Sequence, residues 1–338
     1  MSMRDEILAQ PEMMRSIAET WDEDVARLRR VLTPPAAVLI TARGTSDNAA
    51  RYAKYLWGIH NHLPVALAAP SLYTGYGSEP SLSTGWTVVA ISQSGASPDL
   101  RAVLGSEGYR TNDRVAITNE VKSPLAWEAS VVVALGAGHE LSVAATKTYT
   151  AQLAAVIKLS EAWSNNPLGL SDVATAMEQV AADEPTIVRA AEIVSGMDSC
   201  AIVGRGLNMA TAYEWALKIT ETSNVSAHPF SSADFSHGPI AMADRETPVL
   251  AVVDDDAFLS TTLDMIKTLR DDRGTPVVVI TTTGSPSANA VIRVPKLAKH
   301  LTPLVAAVAA QLFSYHLAVA RGLDPDSPRG LTKITSTL

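Results

Sequence analysis

A single cysteine, Cys200, stands among 338 residues, which excludes a disulfide framework and a thiolate metal cluster and fits a reducing compartment. The seven histidines fall in none of the His-x-x-x-His or mixed Cys/His spacings of zinc sites, so no metal is expected. Lysine and arginine form no block or stripe, and the formal charge is −8, which excludes a nucleic-acid partner held by phosphate contacts. No apolar signal region appears at the start: Met1-Ser2-Met3-Arg4-Asp5-Glu6 runs straight into charged, helix-forming sequence and predicts a cytoplasmic protein. The most apolar stretch, 304–320, is interrupted by Gln311, Ser314, Tyr315 and His316, and so reads as a core helix rather than a membrane span. Two nucleotide motifs are missing as well. Gly204-Arg205-Gly206 lacks the third glycine of G-x-G-x-x-G, and no G-x-x-x-x-G-K-[ST] occurs. No cofactor is expected, and any bound phosphate must be met by local donors.

What the chain does contain is alternation. Apolar residues make up 47% of it, enough for two α/β domains of ordinary size. After a polar N-terminal helix, short β-branched runs alternate with helical stretches, the pattern of parallel α/β units. Strands are expected at 37–41, 65–68, 87–91, 115–118 and 131–135, and helices at 46–59, 97–104 and 144–163. Ser164-Asn165-Asn166-Pro167-Leu168-Gly169 carries the breakers of a boundary. Helices over about 171–195 then lead into a second set of strands. Here the chain repeats: 201–206 matches 39–44, 249–253 matches 88–92, and 277–281 matches 114–118. The offset of about 160 residues is a duplicated domain, far above the ~20–50 of a solenoid unit. The expected organisation is a helical segment at 1–35, a first domain at 36–165, a second at 166–323 and a tail at 324–338.

The two copies differ where chemistry is expected. After its second main strand the first has Ser92-Gln93-Ser94-Gly95-Ala96-Ser97-Pro98, with hydroxyls, a glycine, an N-cap serine and a proline suited to the first helical position. That composition suits either an anion site at a helix N-terminus or an ordinary capped turn. Gly44-Thr45-Ser46-Asp47-Asn48 forms a second hydroxyl-bearing turn after the first strand, where open α/β sheets bind ligands. The second copy has Asp254-Asp255-Asp256 instead, which would repel a phosphate. Further along, Glu214, Lys218 and Glu221 stand four and three residues apart and share one helix face, as a surface ion-pair stripe or as part of a site. His237 sits in a polar loop and Lys333 close to the C-terminus, and neither residue alone points to chemistry.

Taken in order, these segments resemble the sugar isomerase (SIS) family, in particular the isomerase half of glutamine:fructose-6-phosphate amidotransferase and its stand-alone relatives. The resemblance starts at Glu6-Ile7-Leu8-Ala9-Gln10-Pro11 and runs through Gly44-Thr45-Ser46, Ser92-Gln93-Ser94-Gly95 and Val143-Ala144-Ala145-Thr146-Lys147. It continues in Ala216-Leu217-Lys218-Ile219-Thr220-Glu221 and His237-Gly238-Pro239, and ends in Asp326-Ser327-Pro328-Arg329-Gly330-Leu331-Thr332-Lys333. It implies an α/β fold of two tandem SIS domains, each a parallel sheet between helix layers. It also implies that Thr45, Ser46, Ser92, Gln93, Ser94 and Ser97 hold the phosphate of a sugar phosphate, with a backbone contact from Val143. Glu221 would then move the proton between C1 and C2, and His237 would assist ring opening from a neighbouring subunit. Lys333 would engage the carbonyl end, while Glu214 and Lys218 would order the centre. A homodimer sharing its sites is implied.

The amidotransferase draws ammonia from glutamine with an N-terminal cysteine nucleophile that this sequence does not present, so the expected reaction is the reverse one. Glucosamine 6-phosphate would be isomerised and hydrolysed to fructose 6-phosphate and ammonia. Arg43, where the amidotransferase has a small residue, and Ser71, near where it has a glutamate, lean the same way. An aminotransferase-type isomerase and a fructosamine-6-phosphate deglycase are the alternatives within the family. A non-catalytic sugar-phosphate sensor is the alternative of another class, but it has no use for Glu221, His237 and Lys333 together.

Overall fold

The computed structural model describes residues 2–164, 166–284 and 286–333. Asn165 of the expected boundary and 334–338 of the expected tail lie outside the described residues. The chain divides into two compact units. One takes Met13–Glu140 and Lys147–Leu170. The other takes 2–12, Leu141–Thr146 and Ser171–Lys333.

The first of these is built on five parallel strands: β1 (Ala37–Ala42), β2 (Val65–Leu67), β3 (Trp86–Ile91), β4 (Asp113–Thr118) and β5 (Val131–Ala134), in the order β2-β1-β3-β4-β5. The central strands are nearly continuous apolar runs because helices cover both faces of the sheet, and Val88, Val89, Ala90 and Ile91 are wholly buried. One face packs Leu39, Val88, Ala90 and Ala116 against Leu100, Val103 and Leu104 of the Pro98–Leu104 helix.

The second unit repeats the plan with β6 (Ser199–Gly204), β7 (Ser226–Ser231), β8 (Val249–Val253), β9 (Val277–Thr281) and β10 (Ala290–Arg293), all parallel. Its order, β10-β9-β8-β6-β7, is the same one read from the other edge. Each sheet therefore reverses direction between its first and third strands, and ligands of doubly wound sheets bind beyond the strand ends at that point. The α/β duplication expected from the sequence is present.

The stretch expected at 304–320 is the Thr302–Ala320 helix. It is long and apolar enough to cross a membrane, yet Leu304, Val305, Leu312, Phe313 and Leu317 are wholly buried. It packs on the helices Met209–Ser223 and Glu184–Ile193 of its own unit, and each such side chain contributes roughly 1.5–3 kcal/mol on burial. Two local expectations need correction. The polar N-terminal helix is three helices, Met3–Leu8, Gln10–Glu19 and Trp21–Val31; Pro11 lacks an N–H and so belongs in the first turn of a new helix rather than inside a continuous one. The helix expected from 144 begins at Lys147, because the residues before it are held in an irregular turn by side chains described below.

Candidate active site

The hydroxyl turns of the first unit follow β1 and β3, the two strands that flank its reversal point. Gly44 takes φ +53° and opens the Thr45–His60 helix. Ser46 is nearly buried, and its Oγ accepts a hydrogen bond of 2.9 Å from Gln152 Nε2. In the second turn Ser92 Oγ accepts from the Gly95 N–H at 3.1 Å and Ser94 Oγ from the Ala96 N–H at 3.3 Å. These three hydroxyl oxygens act as acceptors in these bonds, which leaves each hydroxyl its own hydrogen as a donor. Ser97 is the N-cap of the Pro98–Leu104 helix, as the sequence suggests, but its side chain makes no capping bond.

The Ser92–Ser97 turn is fixed from behind. Gln93 O accepts from the Asn119 N–H at 3.1 Å and from Thr118 Oγ1 at 3.3 Å, and Gly95 O accepts from the Leu125 N–H at 3.1 Å. Gly95 has φ +60°, and a Cβ there would lie 2.0 Å from Ser123 Oγ, so only glycine fits. The two turns are joined by an ion pair between Arg43 and Asp99.

In the second unit the equivalent positions are taken. Asp254 Oδ1 accepts from the Asp255 N–H and from Thr282 Oγ1. Asp256 binds the Phe258 N–H, and its carboxyl is raised above the ordinary range chiefly by burial. The Arg205 guanidinium lies 4.3 Å from the centre of the Phe258 ring. An anion finds no hydroxyl turn at that loop.

Glu214, Lys218 and Glu221 share one face of the Met209–Ser223 helix as their spacing predicts, but the stripe is not a surface one. The Glu214 and Lys218 side chains are each only 1% exposed, and Glu221 is 23% exposed. Lys218 Nζ lies 3.5 Å from Glu214 Oε1 and 2.5 Å from Glu221 Oε2. One ammonium lies between two carboxylates, and Glu221 is the end of the row that reaches toward solvent. The helix is tied to the Thr302–Ala320 helix by Thr222 Oγ1, which donates to Ser314 O at 3.3 Å, and by Trp215, whose ring meets Phe313 edge-on at 5.1 Å.

Lys333 is tied down: its Nζ donates to Ser142 O at 2.7 Å, which brings the C-terminal lysine beside Val143. His237 follows the Ser232–Ser236 helix, exposed, ahead of Gly238 at φ +148°. Cys200 is buried in β6, and burial pushes its thiol up to about 12, so the sole thiol of these residues is no nucleophile. Sequence reasoning missed Asp99 and Gln152 as supports of the two turns. It noticed Gln311 only as an interruption of an apolar helix.

One doubly wound α/β unit carries hydroxyl turns at its reversal point, and the other carries a buried carboxylate–lysine–carboxylate row. The chain belongs to the SIS domain family, whose sequence pattern matches residues 32–159 and 195–321. It is 32% identical over 327 residues to the glutamine–fructose-6-phosphate aminotransferase (isomerizing) of Thermotoga maritima, covering 92% of this chain and 53% of that protein. The chain thus spans about half the length of the curated relatives it matches. The C-terminal domain of glucosamine-fructose-6-phosphate aminotransferase from Francisella tularensis superposes with a TM-score of 0.86 at 26% identity, over 96% of this chain and 98% of that one. Glucosamine-6-phosphate deaminase from Thermotoga maritima shares the fold, with a TM-score of 0.74 at 18% identity over 98% of this chain and 100% of that one.

Proposed function

We propose that the protein is a cytoplasmic glucosamine-6-phosphate deaminase that acts as a homodimer. The observation that carries this reading is Glu221, a carboxylate at the more exposed end of a buried row and paired with the Lys218 ammonium. Thr45, Ser46, Ser92, Gln93, Ser94 and Ser97 take the phosphate, with Val143 adding a backbone contact. His237 of the partner subunit assists opening of the sugar ring. In the open chain Glu221 removes the C2 proton while the C1 carbonyl oxygen, drawn by the Lys333 ammonium, takes up a proton. Return of a proton to C1 moves the double bond to C2 as an imine. Water adds to that imine and expels ammonia, leaving fructose 6-phosphate.

Isomerisation and deamination need one base able to reach both carbons, a group to open the ring and a cation near the reacting oxygen. The test is incubation with glucosamine 6-phosphate, with ammonia and fructose 6-phosphate measured together. Equal amounts of both are expected, and Glu221→Gln is expected to abolish both while phosphosugar binding persists. Absence of ammonia and ketose from the wild-type reaction sinks the reading.

A further inference from the structure

We propose that Glu6 and Gln10 are positioning residues, which set the Leu141–Thr146 segment and through it Val143 and Lys333; the link to substrate rests on the function proposed above. The N-terminal motif that contains them has no role in the chemistry, yet both side chains are wholly buried. The Glu6 carboxylate accepts from the Leu141 N–H at 2.5 Å and from Ser142 Oγ at 3.2 Å. Ser142 Oγ has one hydrogen and lies closer, at 2.6 Å, to Ala144 O, so the Leu141 amide is the firm bond to Glu6. At the other end Gln10 Nε2 donates to Gln311 Oε1 at 2.6 Å, and Gln311 Nε2 donates to Thr146 O at 3.1 Å. Val143 lies between these two fixed ends.

The segment is neither helix nor strand, so no ladder satisfies its backbone, and side chains supply bonds at both of its ends. A wholly buried carboxylate is a costly way to hold a loop, and an apolar side chain would pack there more cheaply. What the carboxylate adds is direction: it fixes the Glu140–Leu141 amide, two peptide units before the Ser142 carbonyl that accepts from Lys333. The same short helix also grips the tail that carries this lysine, because the Met3 N–H donates to Asp326 Oδ1 at 2.5 Å. Met3 and Glu6 thus tie one helix to both the lysine tail and the segment the lysine binds.

The experiment compares Glu6→Ala, Glu6→Gln and Gln10→Ala in the full chain by amide hydrogen exchange, by thermal unfolding and by kcat and KM for glucosamine 6-phosphate. Glu6→Ala is expected to speed exchange of the 141–146 amides by about tenfold or more. It should also lower kcat by about tenfold or more, since small misplacements near the chemistry are costly, with KM changed much less. Glu6→Gln keeps an oxygen for the Leu141 N–H and is expected to restore most of both. Gln10→Ala should loosen the Thr146 end without Glu6 being touched, and it serves if Glu6→Ala does not fold. Wild-type exchange over 141–146 in the alanine variants overturns the proposal. So does a loss of kcat that only follows the loss of thermal stability and is not restored by glutamine. If the wild-type protein releases no ammonia, the functional reading fails, and the exchange data still decide whether Glu6 and Gln10 position the segment.

Discussion

Arg43 Nε lies 2.7 Å from Asp99 Oδ2, and the pair ties the turn after β1 to the helix that follows β3. The partners are unequal: the Arg43 side chain is 52% exposed and that of Asp99 is 2% exposed. Removing the arginine therefore leaves a buried carboxylate with only the Leu100 N–H as partner. Arg43→Ala is expected to cost about 1–3 kcal/mol of stability and to raise KM for the phosphosugar. Adding Asp99→Asn should recover part of the stability. Urea unfolding of the two single variants and the double variant measures this, and strictly additive losses would show that the pair does not couple.

Gly95→Ala is expected to abolish phosphosugar binding. The new methyl meets Ser123 and the residue must hold a positive φ, a combination worth on the order of 1–3 kcal/mol of strain. Calorimetric titration with glucosamine 6-phosphate checks it. Binding of wild-type strength would mean that the turn does not hold the phosphate.

Lys218→Met removes the ammonium that lies 3.5 Å from the buried Glu214 carboxylate and is expected to destabilise by about 3–5 kcal/mol. Glu214→Gln added to it should restore much of that loss, though not turnover. Unfolding curves and ammonia release, measured side by side, separate the two effects.

Glu221→Gln and His237→Ala are each expected to be inactive as homodimers. If His237 serves the partner's site, a hybrid of the two variants carries one intact site, and mixing them under subunit exchange should return ammonia release. A mixture as inactive as its components would place both residues in the same subunit's site.

Acid stability should depend on Glu184. Hydrogen bonding to Arg4 holds its carboxyl below the ordinary glutamate range, against burial and with help from His316. A depressed folded pKa contributes stability that is complete above the unfolded value and is lost as pH falls through the folded one. Tm should therefore decline below the ordinary carboxylate range, and Glu184→Gln should flatten that decline. A variant with the same acid slope as the wild type would remove this group as the cause.

Much of the scaffold is legible in the sequence because its inner strands are unambiguous. Val249–Val253 and Val277–Thr281 are buried throughout and read as apolar runs. β7, Ser226–Ser231, escapes notice because it is an edge strand: it carries Pro229, which a central strand would not accept, and is half exposed. Spacing places Glu214, Lys218 and Glu221 on one face but cannot show that the face is buried, since charges at helical spacing usually face water. The polar work of Glu6 and Gln10 is hidden for another reason. Their partners lie 135 and 301 residues away, and no local pattern carries that distance.

The order in which the chain visits its two units has a practical consequence. Residues 2–12 and Leu141–Thr146 group with Ser171–Lys333, while the stretches on either side of Leu141–Thr146 group together. No single cut separates the units. A protein expressed from residue 36 onward, the boundary a reading of strands alone suggests, would keep Leu141 and Thr146 but lose Glu6 and Gln10. It would carry the 141–146 backbone without the Glu6 carboxylate that holds the Leu141 amide and without the Gln10 amide that holds Gln311.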